Sequence, residues 1–178
     1  LGLALTSVGA VMSQLKPRFA DLGFDDMTAM WLMALTACIG AVAKYLWGMW
    51  CDRFDPRHIF AVLVSMMALG LGLALVHDSL IFLVLFIVIF GFAMGGVMSL
   101  FPIIVADLYG RESFPAVFRY VSLLVIIEVF GFVIAGQSFD RTGSYDLAYI
   151  IFIVLALIAV CLIATTKRPR IDEEAPRG

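Results

Sequence analysis

Residues Leu80 to Leu100 read LIFLVLFIVIFGFAMGGVMSL, 21 residues without a charge. At 1.5 Å per residue a helix of that length covers roughly 30 Å, the thickness of a bilayer hydrocarbon core. A second such run extends from Leu147 to Thr165. Across the 178 residues, 63% are hydrophobic and 15% are charged, and the mean hydropathy is +1.05. A soluble domain of this size needs more charge over its single core. The chain therefore reads as an all-α polytopic membrane protein.

Working outward from Leu80, six spans are expected: Leu1 to Leu15, Met27 to Trp50, His58 to Val76, Leu80 to Leu100, Pro115 to Gln137 and Leu147 to Thr166. They form one transmembrane unit over residues 1–166, followed by a tail over 167–178. Pro17 follows the first span, and Pro102 ends the fourth. Asp52, Asp55 and Pro56 close the second span and open the third. Ser113 is a fitting N-cap ahead of Pro115. The sequence opens on Leu1 inside its shortest apolar run, without the basic n-region of a signal peptide. A chain that begins within a truncated helix is the expectation.

The connections alternate in charge. One side carries Arg53, Arg57, Arg111, Arg119, Lys167, Arg168, Arg170 and Arg177; the other has only Lys16, Arg18 and Arg141. By the positive-inside rule the richer side is cytoplasmic, as are both ends of the chain, in the cell (inner) membrane. The basic residues form no single stripe, so nucleic acid is not an expected partner. Cys38, Cys51 and Cys161 lack metal-ligand spacing and read as small buried helix residues; no metal or cofactor is expected. Trp31, Trp47, Trp50 and Tyr149 fit interfacial aromatic belts.

The connection between the second and third spans is Gly48-Met49-Trp50-Cys51-Asp52-Arg53-Phe54-Asp55-Pro56-Arg57. It resembles the G-x-x-x-D-R-x-x-x-R signature that major facilitator transporters place between helices two and three of each half. Asp55 and Pro56 depart from that pattern. Gly131 to Gly136 with Phe139 to Tyr145, and Asp107 to Phe114, resemble further stretches of the same family. The resemblance implies the C-terminal six-helix half of a twelve-helix bundle, with a 3+3 inverted repeat echoed weakly here. Its partners would be the lipid bilayer, a small-molecule solute and an N-terminal six-helix half. Gly48, Asp52, Arg53 and Arg57 would form a conformational latch. Gly48 would allow close helix approach, and Asp52 would engage a neighbouring helix N-terminus.

Ionisable groups inside spans mark functional sites. Lys44 lies about 12 Å inside its helix end. In monocarboxylate and oxalate/formate porters, which this chain resembles, a basic residue at this place binds the substrate carboxylate. That implies the same role for Lys44, with a snorkelling lysine as the alternative. Glu128 falls mid-span and could carry a proton, or instead hold helices together. Thr6, Ser7, Ser13 and Gln14 could line the same cavity, with Met94 from the fourth span. Gly91, Gly95 and Gly96 suit close helix packing.

The expected function is secondary active transport of a small organic anion such as a monocarboxylate, by alternating access with proton symport or anion exchange. Carriage of a sugar, drug or amino acid is the alternative, as is a six-helix homodimer. A membrane enzyme or anchor is disfavoured: the spans hold no paired-histidine spacing, nucleophile elbow or Cys/His cluster.

Overall fold

A computed structural model describes residues 2–76 and 80–165. Its regular elements are helical throughout those residues: α1 (Gly2–Asp21), α2 (Asp26–Cys51), α3 (Pro56–Ala74), α4 (Leu80–Val121), a 3-10 stretch (Ser122–Ile127), α5 (Glu128–Thr142) and α6 (Asp146–Thr165). Asp26–Cys51, Pro56–Ala74, Leu80–Gly110 and Asp146–Thr165 are long and apolar enough to cross a membrane. His77 and the basic tail residues Lys167, Arg168, Arg170 and Arg177 lie outside the described residues.

Two helices continue past the prolines at which the sequence predicts a stop. α1 continues through Pro17 to Asp21, because Leu15, Arg18 and Phe19 are all buried and hold the last turn in place. The stop is Gly23, at φ 86°. The Gly23 N–H donates to Ala20 O at 2.9 Å and the Phe24 N–H to Phe19 O at 3.1 Å, the paired bonds of a Schellman cap. The Phe19 and Phe24 rings meet edge-on across it.

Asp25 then caps α2, accepting hydrogen bonds from the Thr28 hydroxyl at 2.6 Å and the Thr28 N–H at 3.2 Å. Those bonds favour the carboxylate and hold the Asp25 carboxyl below its ordinary value.

Pro102 does not end the fourth helix either. Leu100, Phe101, Ile104 and Val105 are buried on both sides of it, and packing carries α4 across the missing ladder bond. The break comes at Gly110, at φ 76° and ψ 164°, a conformation that glycine alone adopts readily. The expected Asp107 to Phe114 loop is thus a one-residue kink, and Ser113 and Pro115 sit inside helix instead of capping one. The expected fifth span is also irregular, tightening into 3-10 geometry between Ser122 and Ile127. The α2–α3 turn matches expectation: Asp52 is the C-cap, Asp55 the N-cap and Pro56 the first helical residue.

Glycine sets the closest helix contacts. α4 is the central helix, with α2 and α3 on it. Backbones of α2 and α4 touch where Gly40 meets Gly91 and Gly95, and a Cβ at Gly95 would overlap the Gly40 carbonyl. Gly70 of α3 packs tightly, though less closely, on Phe90 of α4, where a Cβ would sit 3.2 Å from Phe90 Cα. The glycines of α4 therefore serve packing, as expected. Trp47 is buried in this contact, its indole N–H donating to Phe92 O at 2.8 Å. Tyr149 is fully buried too. Neither is a belt residue, whereas Trp31 is 70% exposed. Of the cysteines only Cys51 is buried; Cys38 and Cys161 are exposed.

Candidate functional site

The polar candidates fall into two groups on different helix pairs. Lys44 belongs to α2. The buried residues Thr36, Gly40, Ala43, Trp47 and Cys51 mark the side of α2 turned to its neighbours. Lys44 is exposed just beside that side. At helical spacing it shares a lane with Ala34, Ala37 and Ala41, all small and exposed, and with half-buried Gly48. The next lane round holds Trp31, Leu35, Val42 and Tyr45, large and exposed. The outer surface of α2 is thus divided into a bulky apolar strip and a narrow, smooth one bearing a cation. Lys44 makes no ion pair among the described residues. Met94 reaches α2 from α4, its Cε 3.0 Å from where a Gly40 Cβ would stand, one turn before Lys44.

The second group joins α1 to α5. Ser7 and Gln14 are buried on α1. Ser7 has a partner, whereas the buried Gln14 Oε1 accepts no hydrogen bond among the described residues. Glu128 opens α5, where the chain leaves the 3-10 stretch, and its carboxylate fills the space that a side chain at Gly9 would occupy. One helical turn on, the backbones close up: a Cβ at Gly131 would overlap the Thr6 carbonyl. Gly9 therefore seats Glu128 against α1, a role that spacing alone did not suggest. Thr6 and Ser13 are spent locally, donating to Gly2 O at 3.0 Å and Ala10 O at 2.8 Å. Ser13 is exposed.

The latch residues are arranged differently from expectation. A Cβ at Gly48 would meet nothing within 4 Å, so this glycine serves no close approach among the described residues. Asp52 and Arg53 are exposed. The carboxylate that caps a neighbouring helix is Asp55, which accepts from the Arg57 N–H at 3.0 Å; Asp52 does not. Arg57 is half-buried and engaged. The departure from the family pattern at Asp55-Pro56 is thus what starts α3.

The charge pattern predicts Arg18 as a connection residue, but the structure encloses it. It is 6% exposed. Its guanidinium donates to Asp146 Oδ1 at 3.4 Å and to the Ala74 carbonyl, and lies 4.8 Å from the Tyr149 ring centroid. The signal in the sequence is weak: Arg18 shares a face with Gln14 only because α1 continues past Pro17.

Beside the Gly110 kink lies a shallow apolar groove of about 300 Å³, lined by Pro102, Ile103, Ala106 and Phe114. No His, Cys, Asp and Glu cluster suited to a metal ion occurs among the described residues.

A family model described as Major Facilitator Superfamily matches residues 1–178. Monocarboxylate transporter 2 of Rattus norvegicus is 28% identical over 144 residues, which cover 76% of this chain and 29% of that protein. The chain thus spans under a third of the relative's length. With the helical architecture and the Gly48 to Arg57 signature, the match over the whole chain is decisive: this chain belongs to the Major Facilitator Superfamily, a family of membrane transporters and not of enzymes.

Proposed function

We propose that the chain is the C-terminal half of a secondary transporter that moves a small organic anion, such as a monocarboxylate, by rocking against an N-terminal six-helix half. The observation that carries this reading is Lys44, an exposed cation without an ion pair among the described residues, on a smooth small-residue lane of α2. The small residues around Lys44 leave room for a solute, and an ionisable group within a span marks a functional site by default. The rat relative's name, Monocarboxylate transporter 2, points to the same class of solute. The open space at Gly48 suits docking of helices from the other half at the latch.

In this reading all six rods cross the bilayer. α1 and residues 111–142 are the less apolar ones, and they carry Gln14, Arg18 and Glu128. Helices that line an aqueous path and are shielded by neighbours need less lipid-compatible surface. The arginine-rich ends face the cytoplasm. Full-length protein in sealed liposomes should take up a labelled short-chain monocarboxylate, and other organic anions should compete. Uptake of neutral sugars with no response to monocarboxylates would overturn the reading.

Glu128 is the proton site of this scheme. Its carboxylate sits at the α1–α5 contact, where the helix changes from 3-10 to α geometry, a feature often found at functional hinges. Glu128→Gln keeps the shape and stays neutral. Uptake driven by an inward proton gradient should fall to the ungraded level, while solute exchange at equal pH persists. Gradient-driven uptake at the normal rate would remove Glu128 from the proton path.

A further inference from the structure

Arg119 is an exposed cation that neither the solute path nor the latch uses. It stands in the arm of α4 that follows the Gly110 kink. The two arms run back along each other there: the Phe118 ring meets the Phe101 ring edge-on, with centroids 5.7 Å apart, and stacks on Phe114. Phe101 directly follows the uncharged run from Leu80 to Leu100, which covers the roughly 30 Å of a hydrocarbon core. Arg119, next to Phe118, is therefore level with the boundary where that core ends. By the charge asymmetry of the connections this is the cytoplasmic boundary.

At that level Arg119 and Tyr120 form one polar unit. The guanidinium lies over the Tyr120 ring, 5.0 Å from its centroid, and Nη2 donates to the Tyr120 hydroxyl at 3.0 Å. The hydroxyl oxygen thus accepts from Arg119, and its own proton is left to donate. Both side chains are exposed, and Arg119 makes no ion pair among the described residues. A charged fork beside a hydroxyl donor suits a phosphodiester.

Toward the bilayer centre the exposed side chains are Leu123, Ile126 and Phe130, at successive turns. The buried Gly131, Ala135 and Ser138 mark the other side of α5. From Arg119 to Phe130 the rise is roughly 16–20 Å, allowing for the 3-10 stretch. One leaflet of the hydrocarbon core is about 15 Å deep, so the strip ends near the midplane. Helices docked on each other in a membrane favour small residues at the contact. A bulky apolar strip with a cation and a tyrosine at its outer end is the pattern of a surface turned to lipid.

We infer that Arg119 and Tyr120 hold the phosphate of an anionic phospholipid of the cytoplasmic leaflet, with an acyl chain along Leu123, Ile126 and Phe130. Anionic lipids are concentrated in that leaflet, so charge and side agree. The site depends on the cytoplasmic orientation and not on the solute, and a wrong solute leaves it standing.

The test uses the full-length protein with native cysteines replaced, in mixed phosphatidylcholine and phosphatidylglycerol vesicles. A bimane label is placed on Val129→Cys, exposed beside the strip, or on Val154→Cys, exposed on α6. Quenching by doxyl-labelled phosphatidylglycerol is compared with quenching by doxyl-labelled phosphatidylcholine. At Val129→Cys the anionic lipid should be preferred about tenfold, the shift that one charge-assisted hydrogen bond supplies. Arg119→Gln should abolish the preference, Tyr120→Phe should reduce it, and Arg119→Lys should keep most of it. Arg141→Gln, exposed at the other membrane face, should change nothing. An undiminished preference in Arg119→Gln would overturn the site, as would the same preference at Val154→Cys. Absence of quenching by either lipid at Val129→Cys would mean that the other half covers the strip, and would overturn it too. So would loss of the preference on adding inorganic phosphate, which would show a site for free anions. Should Arg119→Gln not fold, Tyr120→Phe decides.

Discussion

Lys44→Ala should lower monocarboxylate uptake by the full-length transporter by about a hundredfold or more, the loss typical when one partner of a desolvated charge pair is removed. The folded state should be unaffected. Lys44 is exposed, has no ion pair among the described residues and adds nothing to the α2–α4 contact. Alanine there continues the small-residue lane of Ala34, Ala37 and Ala41. The effect should therefore fall on transport with no change in melting temperature or yield. Lys44→Arg should keep a substantial part of the uptake with altered affinity, since guanidinium meets a carboxylate as a planar fork and ammonium as a point charge. The measurement is initial uptake against solute concentration in liposomes, with protein amount controlled. Normal rate and normal affinity in Lys44→Ala would return this lysine to the role of a snorkelling surface charge.

Gly95→Val should have the opposite signature, a loss of folded protein rather than of solute binding. A Cβ at Gly95 would stand 2.7 Å from the Gly40 carbonyl carbon and 2.8 Å from Gly40 Cα, closer than real Cβ atoms come. The obstacle is backbone, which cannot rotate away as a side chain can. α2 and α4 must separate, and Trp47 with its bond to Phe92 O must move with them. Overpacking typically costs about 1–3 kcal/mol, and the upper end applies because two backbones meet here. Thermal unfolding of purified protein should show a clear drop in Tm. Gly48→Ala is the contrast on the same helix. Its Cβ would meet nothing within 4 Å, and replacing a helical glycine with alanine stabilises by about 0.5–1 kcal/mol. Its Tm should hold or rise, while transport falls if the latch docks there on the other half. Equal Tm for Gly95→Val and the unaltered protein would mean that α2 and α4 do not pack as described.

The two tests separate what is local in this protein from what is not. Hydropathy is local, so the long apolar helices were legible from their composition, and the α2–α3 turn from Asp55-Pro56. Proline predicts a stop at Pro17 and Pro102. In both places burial on either side outweighs one missing ladder bond, and the true breaks are the positive-φ residues Gly23 and Gly110. A glycine's backbone angle cannot be told from its letter alone. Gly23 and Gly110 turn the chain, Gly95 seats a helix and Gly48 faces open space.

By itself, the sequence determined the membrane class, the family signature from Gly48 to Arg57 and the identity of the ionisable groups within helices. Runs of apolar residues and motif spacing carry those, and they need no knowledge of distant contacts. Only the tertiary structure decided where each group faces. Lys44 and Arg18 are both cations within helices, yet Lys44 is left on the outer surface of α2, while Arg18 is enclosed by a carbonyl, a carboxylate and a ring from α3 and α6. The partners of Arg18 lie up to 128 positions away in the chain. Burial is set by which helices pack together, and that depends on glycine contacts between segments remote in sequence.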